Sequence, residues 1–249
     1  MNLRDALEKD GLIIAPGVYD ALSGLIACQS GAQALYLSGA SLAYTRFGTS
    51  DIGLISVSEV NDTIAAITDR INIPIIVDAD TGFGNALNVQ RTVRSFERSG
   101  AHAIQLEDQS FPKKCGHLDG KKLVSTQEMV GKIQAALDAR ASEETLIIAR
   151  TDAVAIEGLD SSLERMHKYM AAGADVAFIE APRTVEDIER IARELPYPKL
   201  LNMFWSGKTP VVPRDQLEAM GYNLDIVPGD LQRTAIFAMQ QAAAAIMRD

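Results

Sequence analysis

The sequence contains few of the residues that build disulfide, zinc or nucleic-acid sites. It has two cysteines, Cys28 and Cys115, in 249 residues, which excludes a disulfide framework. Its three histidines lie far apart along the chain, which argues against a zinc centre. Acidic residues outnumber basic ones by 33 to 24, so the chain lacks the basic character that broad nucleic-acid binding requires.

Long apolar runs are also missing. No run reaches the roughly 18 residues of a membrane-spanning helix, so no membrane association is expected. Charges interrupt residues 1–13, which therefore do not resemble a signal peptide, and we expect a cytoplasmic protein. With 47% apolar residues, the chain can build a globular core.

One pattern occurs eight times: a short apolar run followed by an amphipathic stretch. The runs lie at 12–16, 34–38, 73–78, 102–107, 145–150, 175–180, 199–204 and 224–228. Such runs are typical of strands buried on both faces. Helical periodicity follows at 57–70, 86–98, 125–140, 161–172, 184–195 and 230–248. The alternation predicts a single (β/α)₈ TIM barrel over residues 1–249; a doubly wound sheet is the alternative, but no G-x-G-x-x-G follows the first run.

Polar residues follow most of the apolar runs, where barrel enzymes place their chemistry. They include Ser38, Asp78, Asp80, Glu107, Arg150, Asp152, Glu180 and Asn202. Any one of them could be a helix cap or a turn former. Together, however, the carboxylates and the arginine would repel or desolvate one another unless a cation or a substrate compensates.

Three of these carboxylates predict a metal site. Asp78 and Asp80 are two residues apart, and side chains two apart on an extended segment point to the same side. With Glu107 from the adjacent predicted strand they form an oxygen-rich cluster. Such a cluster suits Mg²⁺, with Mn²⁺ as the alternative, because both prefer carboxylates and retained waters.

Two predicted loops are longer than the barrel needs, and long loops are usually functional or mobile. They span 39–56 and 108–124. The second, the Cys115 loop, places Cys115 close to Lys114 and His117. Positive charge near a thiol favours the reactive thiolate, so we predict a functional cysteine in a mobile active-site loop. Cys28, in an apolar stretch, is expected to be structural.

Eight short motifs are spread along the predicted strand ends and loops. They are YLSGAS (36–41), D-x-G (51–53), VDADTGFGN (77–85), QLEDQ (105–109), KKCGH (113–117), IARTDA (148–153), FIEAP (178–182) and NMFWSGKTP (202–210). Together they resemble the isocitrate lyase/phosphoenolpyruvate mutase superfamily over nearly the whole chain. The KKCGH segment is similar to the loop of its carbon–carbon lyases and differs from that of its mutases.

The resemblance implies an Mg²⁺-dependent enzyme that acts on small 2-oxo or 2-hydroxy carboxylates. It implies that four carboxylates surround the metal, partly through waters: Asp51, Asp78, Asp80 and Glu107. It places Ser38 and the backbone amides of Gly39 and Ala40 around the substrate carboxylate. The other residues expected to contact substrate are Lys114, Gly116, Arg150, Phe178 and Asn202.

Cleavage of a carbon–carbon bond needs a base, an acid and stabilisation of charge. Tyr36 is expected to take the proton of a 2-hydroxyl, so that a ketone forms as the bond breaks. Mg²⁺ and Arg150 would stabilise the developing charge, and Cys115 would protonate the carbanion. Glu180 is expected to orient Arg150 or His117.

The expected substrate is a 2-hydroxy dicarboxylate or tricarboxylate of the alkylmalate or methylisocitrate type, cleaved to a 2-oxo acid and a carboxylate. Phe178 stands where the isocitrate lyases resemble one another in having a bulkier Trp. The smaller ring leaves room for a 2-methyl group, which favours pyruvate as the 2-oxo product. Phe204 and Trp205 depart from the family pattern and favour a smaller or more apolar substrate. The alternatives are an oxaloacetate hydrolase or decarboxylase, a phosphonopyruvate-type P–C enzyme, a Schiff-base aldolase and a non-catalytic metabolite-binding barrel.

The last predicted helix carries the alanine-rich stretch 238–247, which can pack closely against another helix. The resemblance implies a homo-oligomer, a dimer of dimers with a swapped C-terminal helix. Ordinary packing of this helix on its own barrel is the alternative.

Overall fold

The computed structural model of the chain describes residues 2–9, 11–116, 118, 120–203, 205 and 207–248. Within these residues, eight parallel strands close into a barrel in chain order, and β8 pairs with β1. The strands are β1 Ile13–Val18, β2 Leu35–Leu37, β3 Ile75–Asp78, β4 Ala103–Glu107, β5 Leu146–Thr151, β6 Val176–Ile179, β7 Lys199–Asn202 and β8 Leu224–Val227. The predicted (β/α)₈ barrel is confirmed.

The α-helices are α1 Leu3–Leu7, α2 Ala21–Gln29, α3 Gly39–Phe47, α4 Val57–Thr68, α5 Ala86–Arg98, α6 Thr126–Ala139, α7 Leu159–Ala171, α8 Val185–Glu194, α9 Arg214–Ala219 and α10 Asp230–Ile246. Helices α2 to α9 connect successive strands, whereas α1 precedes β1 and α10 follows β8. Ser125 and Thr184 begin α6 and α8 by accepting hydrogen bonds from backbone amides of the first turn. Among the described residues, no helix combines the length and apolar character needed to cross a membrane.

Alternation along the strands decides which side chains enter the barrel. The inner core is lined by residues such as Ile76, Ala103, Ile148, Phe178 and Leu200. Two positions further along each of these strands come, in the same order, Asp78, Gln105, Arg150, Glu180 and Asn202. Polar side chains therefore cap the apolar core at the C-terminal end of the barrel. A second apolar layer packs between the strands and the helices.

The structure corrects one predicted loop. The first half of 39–56 is helical, because Gly39–Phe47 forms α3. Ser38 caps its start, and Gly48 ends it with a positive φ of 61°, a conformation that glycine adopts without strain. The described residues of the Cys115 loop, in contrast, form no helix or strand beyond an isolated bridge between Gln109 and Leu123.

Candidate active site

A cavity of about 370 Å³ opens at the C-terminal end of the barrel. Most of the predicted site residues line it: Tyr36, Ser38, Ala40, Asp51, Asp78, Cys115, Gly116, Arg150, Glu180 and Asn202. They come from several strands, from the start of α3 and from the loops that follow the strands, so the barrel brings together residues that are distant in sequence. The cavity is where a small carboxylate can bind.

The N-terminus of α3 faces this cavity. Ser38 Oγ accepts a hydrogen bond from the Ser41 amide at 3.2 Å, and Gly39 and Ala40 form the first turn. Amides at the start of a helix attract anions. A Cβ at Gly39 would stand 3.1 Å from Asp78 Oδ2 and 3.3 Å from Asp80 Oδ1. Glycine thus allows an anion-binding helix start to lie directly beside the carboxylates.

The predicted metal-binding carboxylates come together, and Lys113 lies among them. Its Nζ is 2.7 Å from Asp51 Oδ1 and 2.6 Å from Asp80 Oδ1. Asp80 is not on an extended segment, because its φ is 48° and its amide donates to Asp78 Oδ1 at 3.1 Å. A turn, rather than strand alternation, therefore places Asp78 and Asp80 on the same side.

Burial controls the charges in this cluster. Desolvation raises the pKa of Asp80 to about 7, although the nearby Lys113 ammonium lowers it. Desolvation also raises the pKa of Glu107 well above its usual value, against the effects of Arg150 and Lys113. Burial disfavours the Lys113 ammonium, yet the surrounding carboxylates outweigh it and raise its pKa. Burial therefore outweighs the nearby positive charges at both Asp80 and Glu107.

These residues fit a divalent cation. Among the described residues, Glu107 Oε1 is buried without a hydrogen-bond partner. In the same part of the chain no three carboxylate, imidazole or thiol groups are arranged as a ligand set, and the Lys113 ammonium contacts both Asp51 and Asp80. The hard oxygen donors nevertheless match Mg²⁺ and Mn²⁺. A cation would share these carboxylates with Lys113.

Arg150 is held by hydrogen bonds at the base of the cavity. Its Nε and Nη2 donate to the two carboxylate oxygens of Asp152 at 3.0 and 3.1 Å. Burial opposes its charge, but the carboxylates of Asp152 and Glu180 outweigh this effect and raise the pKa of Arg150. Asn202 Nδ2 donates to Glu180 Oε1 at 3.2 Å, and that oxygen is 3.7 Å from Arg150 Nη2.

Phe178 does not take the predicted position at the cavity wall. It is fully buried in the barrel, and the Arg150 guanidinium carbon lies 5.3 Å from its ring centroid. Because side chains alternate along β6, Phe178 points into the core, one layer below Glu180. Phe178 therefore supports Arg150 from beneath by packing and a cation–π interaction.

The Cys115 loop covers the other side of the cavity. The Cys115 amide donates to the Asp51 carbonyl at 3.2 Å, which fixes the loop near the carboxylates. Lys113, which was not singled out, enters the cluster, whereas the predicted Lys114 extends toward Gly120 and does not line the cavity. Adjacent loop residues point in different directions, so Lys113 rather than Lys114 enters the cluster, and a substrate contact by Lys114 stays a prediction. His117 and Phe204 lie outside the described residues, and Trp205 is 76% exposed.

A buried chain of hydrogen bonds connects Tyr36 to the cluster. The Tyr36 hydroxyl donates to Gln105 Oε1 at 3.0 Å, and Gln105 Nε2 donates to Asp78 Oδ1 at 3.2 Å. Burial, with a contribution from Asp78, raises the pKa of Tyr36 well above its usual value. Tyr36 is thus held as a protonated phenol, and its role as base stays a prediction. Alternation along β4 could have identified Gln105 as inward-facing.

Comparison with known proteins identifies close relatives. Residues 3–247 match the phosphoenolpyruvate phosphomutase family. The chain is 42% identical over 248 residues to a 2,3-dimethylmalate lyase of Eubacterium barkeri, covering 100% of this chain and 86% of that protein. It is 46% identical over 245 residues to a 2-methylisocitrate lyase of Aeropyrum pernix, covering 98% and 79%.

Solved structures agree with these matches. A crystal structure of 2,3-dimethylmalate lyase, described as a PEP mutase/isocitrate lyase superfamily member, superimposes with a TM-score of 0.96 at 38% identity, covering 99% of this chain and 84% of that one. An oxaloacetate acetylhydrolase with bound 3,3-difluorooxalacetate gives 0.95 at 35% identity, covering 99% and 85%. A phosphonopyruvate hydrolase complex with oxalate and Mg²⁺ gives 0.90 at 32% identity, covering 100% and 86%.

Proposed function

Because the chain belongs to the phosphoenolpyruvate phosphomutase family and is a carbon–carbon lyase of the PEP mutase/isocitrate lyase superfamily, we propose that it cleaves a 2-hydroxy dicarboxylate or tricarboxylate of the alkylmalate or methylisocitrate type. The two products are a carboxylate and a 2-oxo acid, which we propose to be pyruvate. The observation that carries this proposal is the position of Cys115, which lines the cavity that Arg150 and the carboxylate cluster also line. A carbanion product needs such a proton donor, whereas a mutase that returns the phosphoryl group to the enolate oxygen does not.

The site residues divide the work of the reaction. The α3 N-terminus, with Ser38, holds the carboxylate beside the hydroxyl, and Arg150 stabilises the charge that develops as the bond breaks. Cys115 then delivers a proton to the carbanion. Asp51, Asp78, Asp80 and Glu107 would hold a divalent cation, Mg²⁺ or Mn²⁺, which when bound supplies Lewis-acid stabilisation of substrate oxygens.

Tyr36 is the base of this proposal, and Gln105 is its partner. Tyr36 can accept the 2-hydroxyl proton only as a phenolate, and added positive charge nearby favours the phenolate by lowering the pKa of Tyr36. The nearby Arg150 already lowers the pKa of Tyr36, although burial and Asp78 dominate. A further cation at the carboxylate cluster acts in the same direction as Arg150.

Hydrolysis of oxaloacetate is the second candidate function. It is favoured by the likeness to oxaloacetate acetylhydrolase, which is nearly as close in structure as the dimethylmalate lyase. A Schiff-base aldolase is disfavoured, because the raised pKa of Lys113 opposes the neutral amine that this chemistry requires.

The deciding experiment is the release of 2-oxo acid in the presence of Mg²⁺, read through lactate dehydrogenase and NADH. The panel is 2-methylisocitrate, isocitrate, 2,3-dimethylmalate, citramalate and oxaloacetate. Turnover of one hydroxy acid that EDTA abolishes supports the lyase. Hydrolysis of oxaloacetate yields oxalate and acetate, which lactate dehydrogenase does not reduce, so for this substrate the loss of oxaloacetate and the two products are measured directly. Turnover of oxaloacetate alone to these products supports the hydrolase. Silence across the panel contradicts both.

We further propose that the protein is a cytoplasmic homo-oligomer, a dimer of dimers in which a second copy contacts α10. This helix exposes large apolar side chains, among them Phe237 at 63% and Ile246 at 72%. Ile14 and Val227 line a cavity on the outer face of β1 and β8. In a (β/α)₈ barrel the helix that follows the last strand ordinarily covers this face. An α10 exchanged between copies would fill it.

A further inference from the structure

Lys121 is a buried lysine of the Cys115 loop that none of the quoted motifs includes. Its side chain is 2% exposed, and its Nζ has two acceptors. One is Asp152 Oδ1 at 3.0 Å, and the other is the carbonyl oxygen of Gly116. Lys121 therefore connects the loop, at the residue directly after Cys115, to an acidic residue beneath the cavity.

The acidic residue is the one that holds Arg150. Asp152 Oδ1 accepts from both Lys121 Nζ and Arg150 Nη2, at 3.0 and 3.1 Å. Asp152 is itself fixed, because its amide donates to Asp108 Oδ1 at 3.0 Å. One rigid carboxylate thus sets the positions of the Arg150 guanidinium and, through Lys121, of the peptide that carries Cys115.

Lifting of the loop would leave Lys121 poorly paired. A buried ammonium is costly unless its donors are satisfied. If the segment around Gly116 moved away, Lys121 would lose its carbonyl acceptor and keep only Asp152. Lys113 provides the second attachment, through Asp51 and Asp80, on the other side of Cys115. The loop is therefore attached by a buried lysine on each side of Cys115 in the sequence.

We propose that Lys121 is a positioning residue that holds Cys115 over the cavity and thereby sets the rate of proton delivery. The proposal rests on the proposed function only for the role of Cys115 as the acid. Lys121 does not line the cavity, and among the described residues its Nζ donates to Gly116 and Asp152, so we expect it to act through them. Its loss should affect kcat more than KM, because Asp152 keeps both hydrogen bonds from Arg150.

The test compares K121M with K122M, since Lys122 is the exposed neighbour in the same loop. Iodoacetamide labelling of the full-length protein is followed by peptide mass spectrometry, with Cys28 as the internal reference. We expect Cys115 to be labelled about tenfold faster in K121M, as loss of a charge-assisted hydrogen bond allows. Removal of a positive charge would by itself slow labelling by disfavouring the thiolate, so faster labelling reports release of the loop.

The kinetic arm uses whichever substrate the panel identifies. We expect kcat of K121M to fall by about ten- to a hundredfold with KM within about twofold, and K122M to match the wild type. Wild-type labelling of Cys115 in K121M would overturn the proposal. If circular dichroism shows that K121M is unfolded, K121Q, which removes the charge but retains a polar N–H group, decides the question by the same criterion. Labelling needs no substrate, so it stands even if the wild type cleaves nothing in the panel.

Discussion

Gly116 lies directly against Arg150. A Cβ at Gly116 would overlap with Arg150 Nη2 and Glu180 Oε1, and would stand 2.7 Å from Glu180 Cγ. The loop backbone therefore lies so close to the guanidinium that no side chain fits at position 116. This close approach brings the preceding residue, Cys115, to the cavity that Arg150 lines.

The change G116A should separate the loop from Arg150. The added methyl must displace either the loop or the guanidinium, and a displacement near 1 Å in an active site can lower the rate by about a hundredfold. We expect kcat to fall by about that factor with the fold unchanged. The measurement is steady-state kinetics, with circular dichroism to verify folding.

Gly131 provides the matched control, because it lies within α6 and a Cβ there meets nothing within 4 Å. G131A should leave kcat unchanged and raise the free energy of unfolding by up to about 1 kcal/mol, the helix preference of alanine over glycine. Equal kinetics for G116A and the wild type would show that the loop does not need this close approach.

The two cysteines should respond differently to the same change. C115S replaces the proposed acid by a much weaker one and should lower kcat by about a hundredfold or more. Cys28 lies half-buried in α2, packed against the core, so C28S should keep wild-type kcat. Calorimetry of Mg²⁺ binding should give the same affinity for both variants. Full turnover by C115S would remove Cys115 as the acid.

Much of the site could be predicted because strand alternation is strict. Arg150 and Glu180 follow apolar inward positions by two residues, so their direction is set by the same period that buries the core. The positions of Lys113 and Lys114 could not be predicted, since a loop without periodicity gives no rule for which neighbour points inward.

Other parts of the structure depend on tertiary contacts. The segment that became α3 begins with glycine and contains Ser41, Tyr44 and Thr45, which have weaker helix preference than its alanines, so its composition does not clearly indicate a helix. The register between β2 and β3, and between β3 and β4, decides which residues face Tyr36. The hydrogen bond from Tyr36 to Gln105 therefore could not be predicted from the sequence around either residue alone.

Metal dependence should change when Asp78 is removed. D78A deletes a carboxylate of the proposed cation site and releases its hydrogen bonds from Gln105 and the Asp80 amide. We expect the Mg²⁺ concentration for half-maximal activity to rise by at least about tenfold. D62N, at an exposed position of α4, should respond to Mg²⁺ as the wild type does. An unchanged Mg²⁺ response of D78A would place the metal elsewhere.

The assembly should depend on the apolar face of α10. F237D places a charge in the proposed contact between copies, where its desolvation is costly. Light scattering after gel filtration should therefore show a smaller mass for F237D than for the wild type. L87D makes the same kind of change at an exposed position of α5 and should keep the wild-type mass. A single-chain mass for the wild type would refute the oligomer.

Asp225 should make stability depend on pH. It lies on the outer face of β8, and in the described part of the chain its Oδ1 has no hydrogen-bond partner. Burial raises its pKa to about 7, although a backbone hydrogen bond from Met203 lowers it. The folded state thus binds this proton more tightly than the unfolded chain, whose aspartate pKa is about 3.9.

The sign follows from proton linkage. Between about pH 4 and pH 7 the folded protein holds more protons than the unfolded chain, so the free energy of unfolding falls as the pH rises. D225N removes this dependence, and its stability relative to the wild type should improve by about 2 kcal/mol between pH 5 and pH 8. Urea unfolding at fixed protein concentration measures the difference, with D62N as the exposed control. A constant difference between D225N and the wild type at both pH values would mean that Asp225 is ionised in the folded protein throughout this range.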